Sequence, residues 1–165
     1  MPKTPLILLW LAAACAPSAP VAPTPHPEAA AVIATVQAMA DAMRTKDTVA
    51  FRRVMEPGAR FTGMRVRRAT GDTIIQVLTV TQFADFIARD TREPWIERFF
   101  DPEIRIEGTL ATLWAQYDFH FGTTFSHCGV DAVQLLRTPA GWRIVGLADT
   151  YQPTGCPERP PVATN

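Results

Sequence analysis

The feature that most constrains this chain is a succession of four long strand-like runs between Trp95 and Gln152: WIERFFDPEIRIEG, TLATLWAQYDFHFG, TFSHCGVDAVQLLRT and GWRIVGLADTYQ. They are rich in β-branched and aromatic residues and bounded by turn residues, the pattern of half-buried strands. GTT at 122–124 and TPAG at 138–141 read as the hairpin turns between them. The first run is one strand, or two broken at Asp101-Pro102. A meander of this length must bury one face, and its cover has to come from upstream.

Helices are legible there. Pro27 can open a helix as its first residue. From it Ala29, Val32, Ile33, Val36, Met39, Ala40 and Met43 recur at three and four, one apolar stripe ending near Lys46. Asp47 can cap a short second helix carrying Val49, Phe51 and Val54, which EPG at 56–58 stops. RFTGMRVR and TIIQVLT read as two strands around the turn Gly71-Asp72. Thr79 with Gln82 fits a capping box opening a third helix, with Phe83, Phe86 and Ile87 on one side. Helices first and long antiparallel strands last indicate an α+β fold.

The ends of the chain lie outside this domain. LILLWLAAA, Leu6 to Ala14, is an apolar run after Lys3, the layout of a secretory signal. It falls short of the roughly 20 residues a membrane span needs. Small residues followed by Cys15 resemble the bacterial lipobox, in which cleavage precedes a Cys that is then lipidated; ordinary cleavage after the same AAA is the alternative. APSAPVAPTPHP, residues 16–27, cannot bury a core and reads as an extended tether. The expected organisation is a signal peptide at 1–14, a lipidated Cys and tether at 15–27, a domain at 28–156 and a disordered tail at 157–165. The expected place is the periplasmic face of a bacterial membrane, otherwise the periplasm or the medium.

Sixteen basic and sixteen acidic residues leave no net charge, which argues against nucleic acid as a partner. RVRR at 65–68 reads as the solvated end of a strand. With Cys15 assigned to lipid, Cys128 and Cys156 remain as a pair, 28 residues apart. In an oxidising compartment they should form a disulfide. Neither has a second Cys or a His at ligand spacing, so no metal site is expected, and no cofactor is implied.

LWAQYDFHF, FSHCGVDAVQLL, GWRIVGLADT and the closing GC at 155–156, in that element order, resemble the nuclear-transport-factor-2-like (NTF2-like) superfamily over residues 28–156. That group includes ketosteroid isomerases and SnoaL-like cyclases, and the likeness is nearest to its exported bacterial members. The resemblance implies a curved sheet wrapped around helices, a conical pocket, and a homodimer through the sheet. No catalytic motif of the isomerases is matched position by position, and such a fold does not by itself decide function.

Strand alternation puts His127, Gly129, Asp131 and Val133 on one face and Cys128, Val130, Ala132 and Gln134 on the other. If GTT pairs Phe121 with Phe125, Phe119 lies opposite His127, Tyr117 opposite Gly129 and Ala115 opposite Asp131. TPAG similarly sets Ala148 opposite Asp131, and residue 128 near Tyr151. The functional reading makes Asp131 a base or anchor, His127 its partner, Tyr117 a hydrogen-bond donor, and Phe119, Trp95 and Phe99 ligand contacts. The structural reading has His127 and Asp131 satisfy each other or backbone groups, with the aromatic residues as core. Asp118 and His120 fall on the opposite face; Glu97, Arg98, Glu103 and Arg105 read as outer or edge charges, and Trp114 and Trp142 as packing. Three functions stand: binding of a small apolar or aromatic ligand, a cofactor-free lyase or isomerase using Asp131 and His127, and an interaction module of the cell envelope.

Overall fold

The computed structural model describes residues 26–67 and 69–163; Cys15 and the apolar run before it lie outside them. Three helices, α1 (Ala29–Thr45), α2 (Thr48–Val54) and α3 (Val80–Arg89), pack on one face of a six-stranded sheet. The strands are β1 (Met55–Val66), β2 (Thr73–Thr79), β3 (Trp95–Glu107), β4 (Leu110–Phe121), β5 (Thr124–Thr138) and β6 (Gly141–Asp149). Their spatial order is β2-β1-β6-β5-β4-β3. All neighbours are antiparallel except β1 and β6, which run parallel. The sheet is therefore mixed, and the fold is α+β.

The helices form where their caps and stripes place them. Val32, Val36, Met39, Ala40 and Met43 of α1 are buried, while Ile33 stays largely exposed. Asp47 Oδ1 accepts from the backbone N–H of Val49 (3.0 Å) and Ala50 (2.9 Å), satisfying two donors a helix start leaves free. Thr79 and Gln82 make a reciprocal capping box at the start of α3. α2 ends at Val54, just before EPG at 56–58, which lies inside β1, where the pairing with β6 is irregular between Met55 and Arg60. Phe51, Phe61 and Phe83 stack in series, joining α2, β1 and α3 in the core.

Three bulges break the regular pairing of the meander. The first interrupts β3 between Phe100 and Glu103, so WIERFFDPEIRIE is one strand, kinked at Asp101-Pro102. The second lies between Phe119 and His120 against β5, where Phe121 pairs with Thr124 rather than Phe125. The extra residue restores the expected register beyond it: Phe119 opposite His127, Tyr117 opposite Gly129, Ala115 opposite Asp131. The third lies between Gln134 and Leu135 against β6, where Gly146 and Ile144 are successive partners and Val145 is the extra residue. It shifts the register by one, so Asp131 faces Asp149 and not Ala148, and Cys128 bridges to Gln152 and not Tyr151.

Cys128 and Cys156 are joined by a disulfide with a Cα–Cα distance of 5.9 Å. It holds the segment after β6 against the outer face of the sheet. Residues 157–163, expected to be a disordered tail, continue along that face. Arg159 donates to Gln116 Oε1 at 2.7 Å and lies over the Phe100 ring at 4.1 Å, and Arg98 donates to the Pro160 carbonyl at 2.7 Å.

Candidate functional site

The inner face of the sheet and the helices enclose a cavity of about 100 Å³. Its walls are apolar: Met39 and Met43 from α1, Phe83 from α3, Phe61 from β1, Leu78 from β2, Phe119 from β4 and Leu147 from β6. Into these walls the strands place six ionisable groups: Arg65, Glu97, Tyr117, His127, Asp131 and Asp149.

Period two explains how each arrives. Phe61, Gly63 and Arg65 share the inner face of β1, and Trp95, Glu97 and Phe99 that of β3. Tyr117 and Phe119 face inward from β4, and His127 and Asp131 from β5. Asp149 faces inward only because Val145 is bulged out of step. Gly63 leaves the room these groups occupy: a Cβ there would sit 2.2 Å from Asp149 Oδ1 and 2.5 Å from Arg65 Nη1.

Within this set Arg65 and Asp149 form an ion pair at 2.9 Å. The Tyr117 hydroxyl donates to the Thr150 carbonyl at 2.7 Å. The His127 ring stacks on Phe119 at 5.0 Å and tilts against Tyr151 at 4.3 Å, while its Nδ1 meets Ser126 Oγ at 3.0 Å. Asp131 is 2% exposed, and its Oδ2 has no hydrogen-bond partner among the described residues. His127 is not that partner, nor is Tyr117.

Burial sets the protonation of these groups. Withdrawal from water, reinforced by the charges of Glu97 and Asp149, raises the Asp131 carboxyl far above the usual carboxylate range, with Arg65 opposing. Burial, with Asp149 and Asp118 adding, brings Glu97 to about 8. Burial also raises Asp149, in spite of Arg65. His127 falls to about 4, chiefly through burial and then through Arg65 and His120, so its ring is neutral near pH 7. Burial and the neighbouring carboxylates raise Tyr117 as well, which leaves it a hydrogen-bond donor and not a base. An acid held neutral in an apolar site can donate a hydrogen bond, and one of pKa near 8 can exchange a proton near neutrality.

The sequence-derived candidates fall into two groups. Asp131, His127, Tyr117 and Phe119 line the cavity together. Trp95 and Phe99 pack behind it, against the core, with Trp95 edge-on to Phe83, Phe119 and Phe121. Glu97, read from sequence as an outer charge, is inside; the signal was its alternation with Trp95 and Phe99. Arg65, read as a solvated strand end, is inside too, two residues beyond Gly63 and four beyond Phe61. Asp149 was missed because simple alternation from the turn points it outward. Gly146 carried the available clue, since an internal strand glycine often marks a bulge. Asp118 does lie on the other face, bonded by Arg98 Nε at 2.8 Å, with His120 Nε2 3.4 Å away. No group of three His, Cys, Asp or Glu that could hold a metal ion occurs among the described residues.

Comparison with solved structures places this geometry. An NTF2-like protein of unknown function from Silicibacter pomeroyi aligns over 74% of this chain and 94% of its own at 19% identity, TM-score 0.57. One from Shewanella baltica aligns over 77% and 95% at 18% identity, TM-score 0.58. A third, from Novosphingobium aromaticivorans and described as NTF2-like with a cystatin-like fold, aligns over 74% and 80% at 15% identity, TM-score 0.58. The chain has the NTF2-like fold. No protein-family model matches the sequence, and no curated protein matches it. The likeness thus fixes the NTF2-like architecture and leaves the chemistry of the cone to its own residues.

Proposed function

We propose that the cone binds a small, largely apolar or aromatic molecule, with Asp131 as its polar anchor. The observation that carries this reading is the Asp131 carboxyl, 2% exposed, unpartnered at Oδ2 and lining an apolar cavity. A buried polar atom without a partner costs stability unless something supplies the bond, about 1–3 kcal/mol. The volume bounds the ligand: about 100 Å³ is less than the ~150 Å³ cavity that takes up benzene, so only a few heavy atoms enter fully. A screen of small aromatic and aliphatic fragments by ligand-observed NMR tests this. Binders are expected with the wild type and should be lost in Leu78→Trp, which fills the cone from an edge strand. The absence of any wild-type binder overturns the reading.

A second reading is proton transfer, favoured by Glu97 at about 8 beside Asp131. It makes the chain a cofactor-free lyase or isomerase with the Glu97 carboxyl as the exchanging group, Asp131 as a hydrogen-bond donor to a developing oxyanion, and neutral His127 as a wall. Turnover would then follow a pH profile with a limb near 8, moved by Glu97→Gln.

We propose further that the domain is exported and anchored through lipidated Cys15. The disulfide supports export, because such bonds persist in oxidising compartments. Cys15→Ser should release the protein from membranes and abolish lipid labelling. Exposed Met64, Ile75, Val77 and Trp114 on the outer face support a homodimer through the sheet.

A further inference from the structure

We infer that the cone's ligand is a small organic cation, a protonated amine on an apolar body, held between the carboxyl groups of Glu97 and Asp131 among the rings of Phe61, Tyr117 and Phe119. The inference rests on the reading of the cone as a binding site and names the chemistry it selects.

The charges decide it. Arg65 is the one cation lining the cavity among the described residues, and it is committed to Asp149 at 2.9 Å. The helices contribute Met39, Met43 and Phe83 to the walls and β2 contributes Gln76 and Leu78, none of them charged. Tyr117 spends its hydroxyl on the Thr150 carbonyl. His127 is neutral, with burial and Arg65 keeping it so. Glu97 and Asp131 are therefore two acids facing one cavity with no cation of their own, and burial together with neighbouring carboxylates raises both. A neutral ligand needs only one hydrogen-bonding acid. A second acid facing the same cavity, with no cation of its own, is what a positive guest requires.

The walls select the kind of cation. Magnesium and calcium ask for about six or more oxygen ligands, and among the described residues no three His, Cys, Asp or Glu side chains converge to hold a metal ion. Aromatic faces hold desolvated organic cations through their quadrupoles, most strongly where water is excluded. Binding then exchanges one positive charge for another: the ammonium enters, the Glu97 O–H bond breaks, and the proton leaves to solvent. Affinity must rise with pH until Glu97 is ionised. Asp149 and Asp118, whose charges help raise Glu97, pull on a cation in the same direction, and burial raises the Tyr117 hydroxyl as well.

The test uses three probes with one branched body and charges of plus one, zero and minus one: isobutylammonium, isobutanol and isobutyrate. Amide chemical-shift titrations of the full chain give a Kd for each at pH 6 and pH 8. An alkylammonium stays protonated throughout, like a lysine side chain. At pH 8 isobutylammonium should bind at least about tenfold more tightly than isobutanol, and isobutyrate weakest. Its affinity should rise about 50-fold between pH 6 and pH 8, as the ionised fraction of Glu97 grows from about 1% to about half. Isobutanol should show no such rise. Glu97→Gln should abolish most of the pH dependence; if that variant does not fold, the wild-type Glu97 carboxyl midpoint, followed by its carbon shift, should fall when isobutylammonium is bound. Isobutanol binding as tightly as the ammonium at pH 8, or a pH-independent ammonium affinity, overturns the cation assignment while leaving a binding cone. Failure of all three to move cavity resonances at high millimolar concentration removes both.

Discussion

At the scale of single residues, the cone is a place where acids are kept from water. The consequence for stability has a definite sign. A carboxyl whose folded pKa is raised favours folding below its unfolded value, and that contribution is lost as pH climbs to the folded value. For Glu97 the window runs from 4.5 to about 8. His127 has the opposite sense: lowered from 6.5 to about 4, it favours the fold above 6.5 and loses that as pH falls through 4. The two oppose each other between about 4.5 and 6.5, and only the carboxyls act above that. The melting temperature should therefore fall between pH 6.5 and pH 8, and Glu97→Gln should flatten that limb; a rising limb in the wild type would contradict a raised Glu97 carboxyl. Asp131→Asn should leave the melting temperature at pH 7 unchanged or slightly higher, because the neutral acid and the amide have nearly the same shape. It should weaken binding of a cation, read from a melt and an isotherm on one sample. Loss of stability with unchanged affinity would take Asp131 out of the site.

At the scale of elements, two features govern the site. One is the close approach of β5 to the segment after β6: a Cβ on Gly129 would lie 2.1 Å from the Thr150 carbonyl oxygen and 2.8 Å from Tyr117 Cε1. Gly129→Ala should cost about 1–3 kcal/mol, as overpacking does, and disturb Tyr117; denaturant midpoints check it. The other is the disulfide. Its 28-residue loop contributes about 3.6 kcal/mol in the chain-entropy model. Cys156→Ser should lower stability by roughly that much and raise amide exchange across residues 157–163. These elements also show where the sequence is readable. Caps such as Asp47 and Thr79 are local chemistry, visible in a few residues. So is the alternation that gathers His127, Asp131, Tyr117 and Phe119. A bulge is not local in that way. Val145 looks like any strand valine, and only its partner strand makes it the extra residue that turns Asp149 inward. The tail escaped for a related reason: nothing in PERPPVATN announces that Arg159 will find Phe100 and Gln116, residues brought near by β3–β4 pairing and the disulfide.

At the scale of the molecule, the sheet has two faces with different tasks. The inner one closes over the cone. The outer one carries a shallow depression of about 780 Å³ around Trp114, which is 55% exposed although its type suggested packing. If two copies pair there, Trp114→Glu should give a smaller sedimentation coefficient than the wild type; identical values would count against that face. The inner face holds the central claim, that Glu97 and Asp131 are acids raised above the carboxylate range inside the cone and give it its selectivity. Following the side-chain carboxyl carbon shifts of both residues against pH by NMR tests this most directly. The expected result is a midpoint of about 8 for Glu97 and one well above the carboxylate range for Asp131. Midpoints at the ordinary 4.5 and 3.8 would mean that water reaches both acids, and the cone would then lack the charge-selective interior described here.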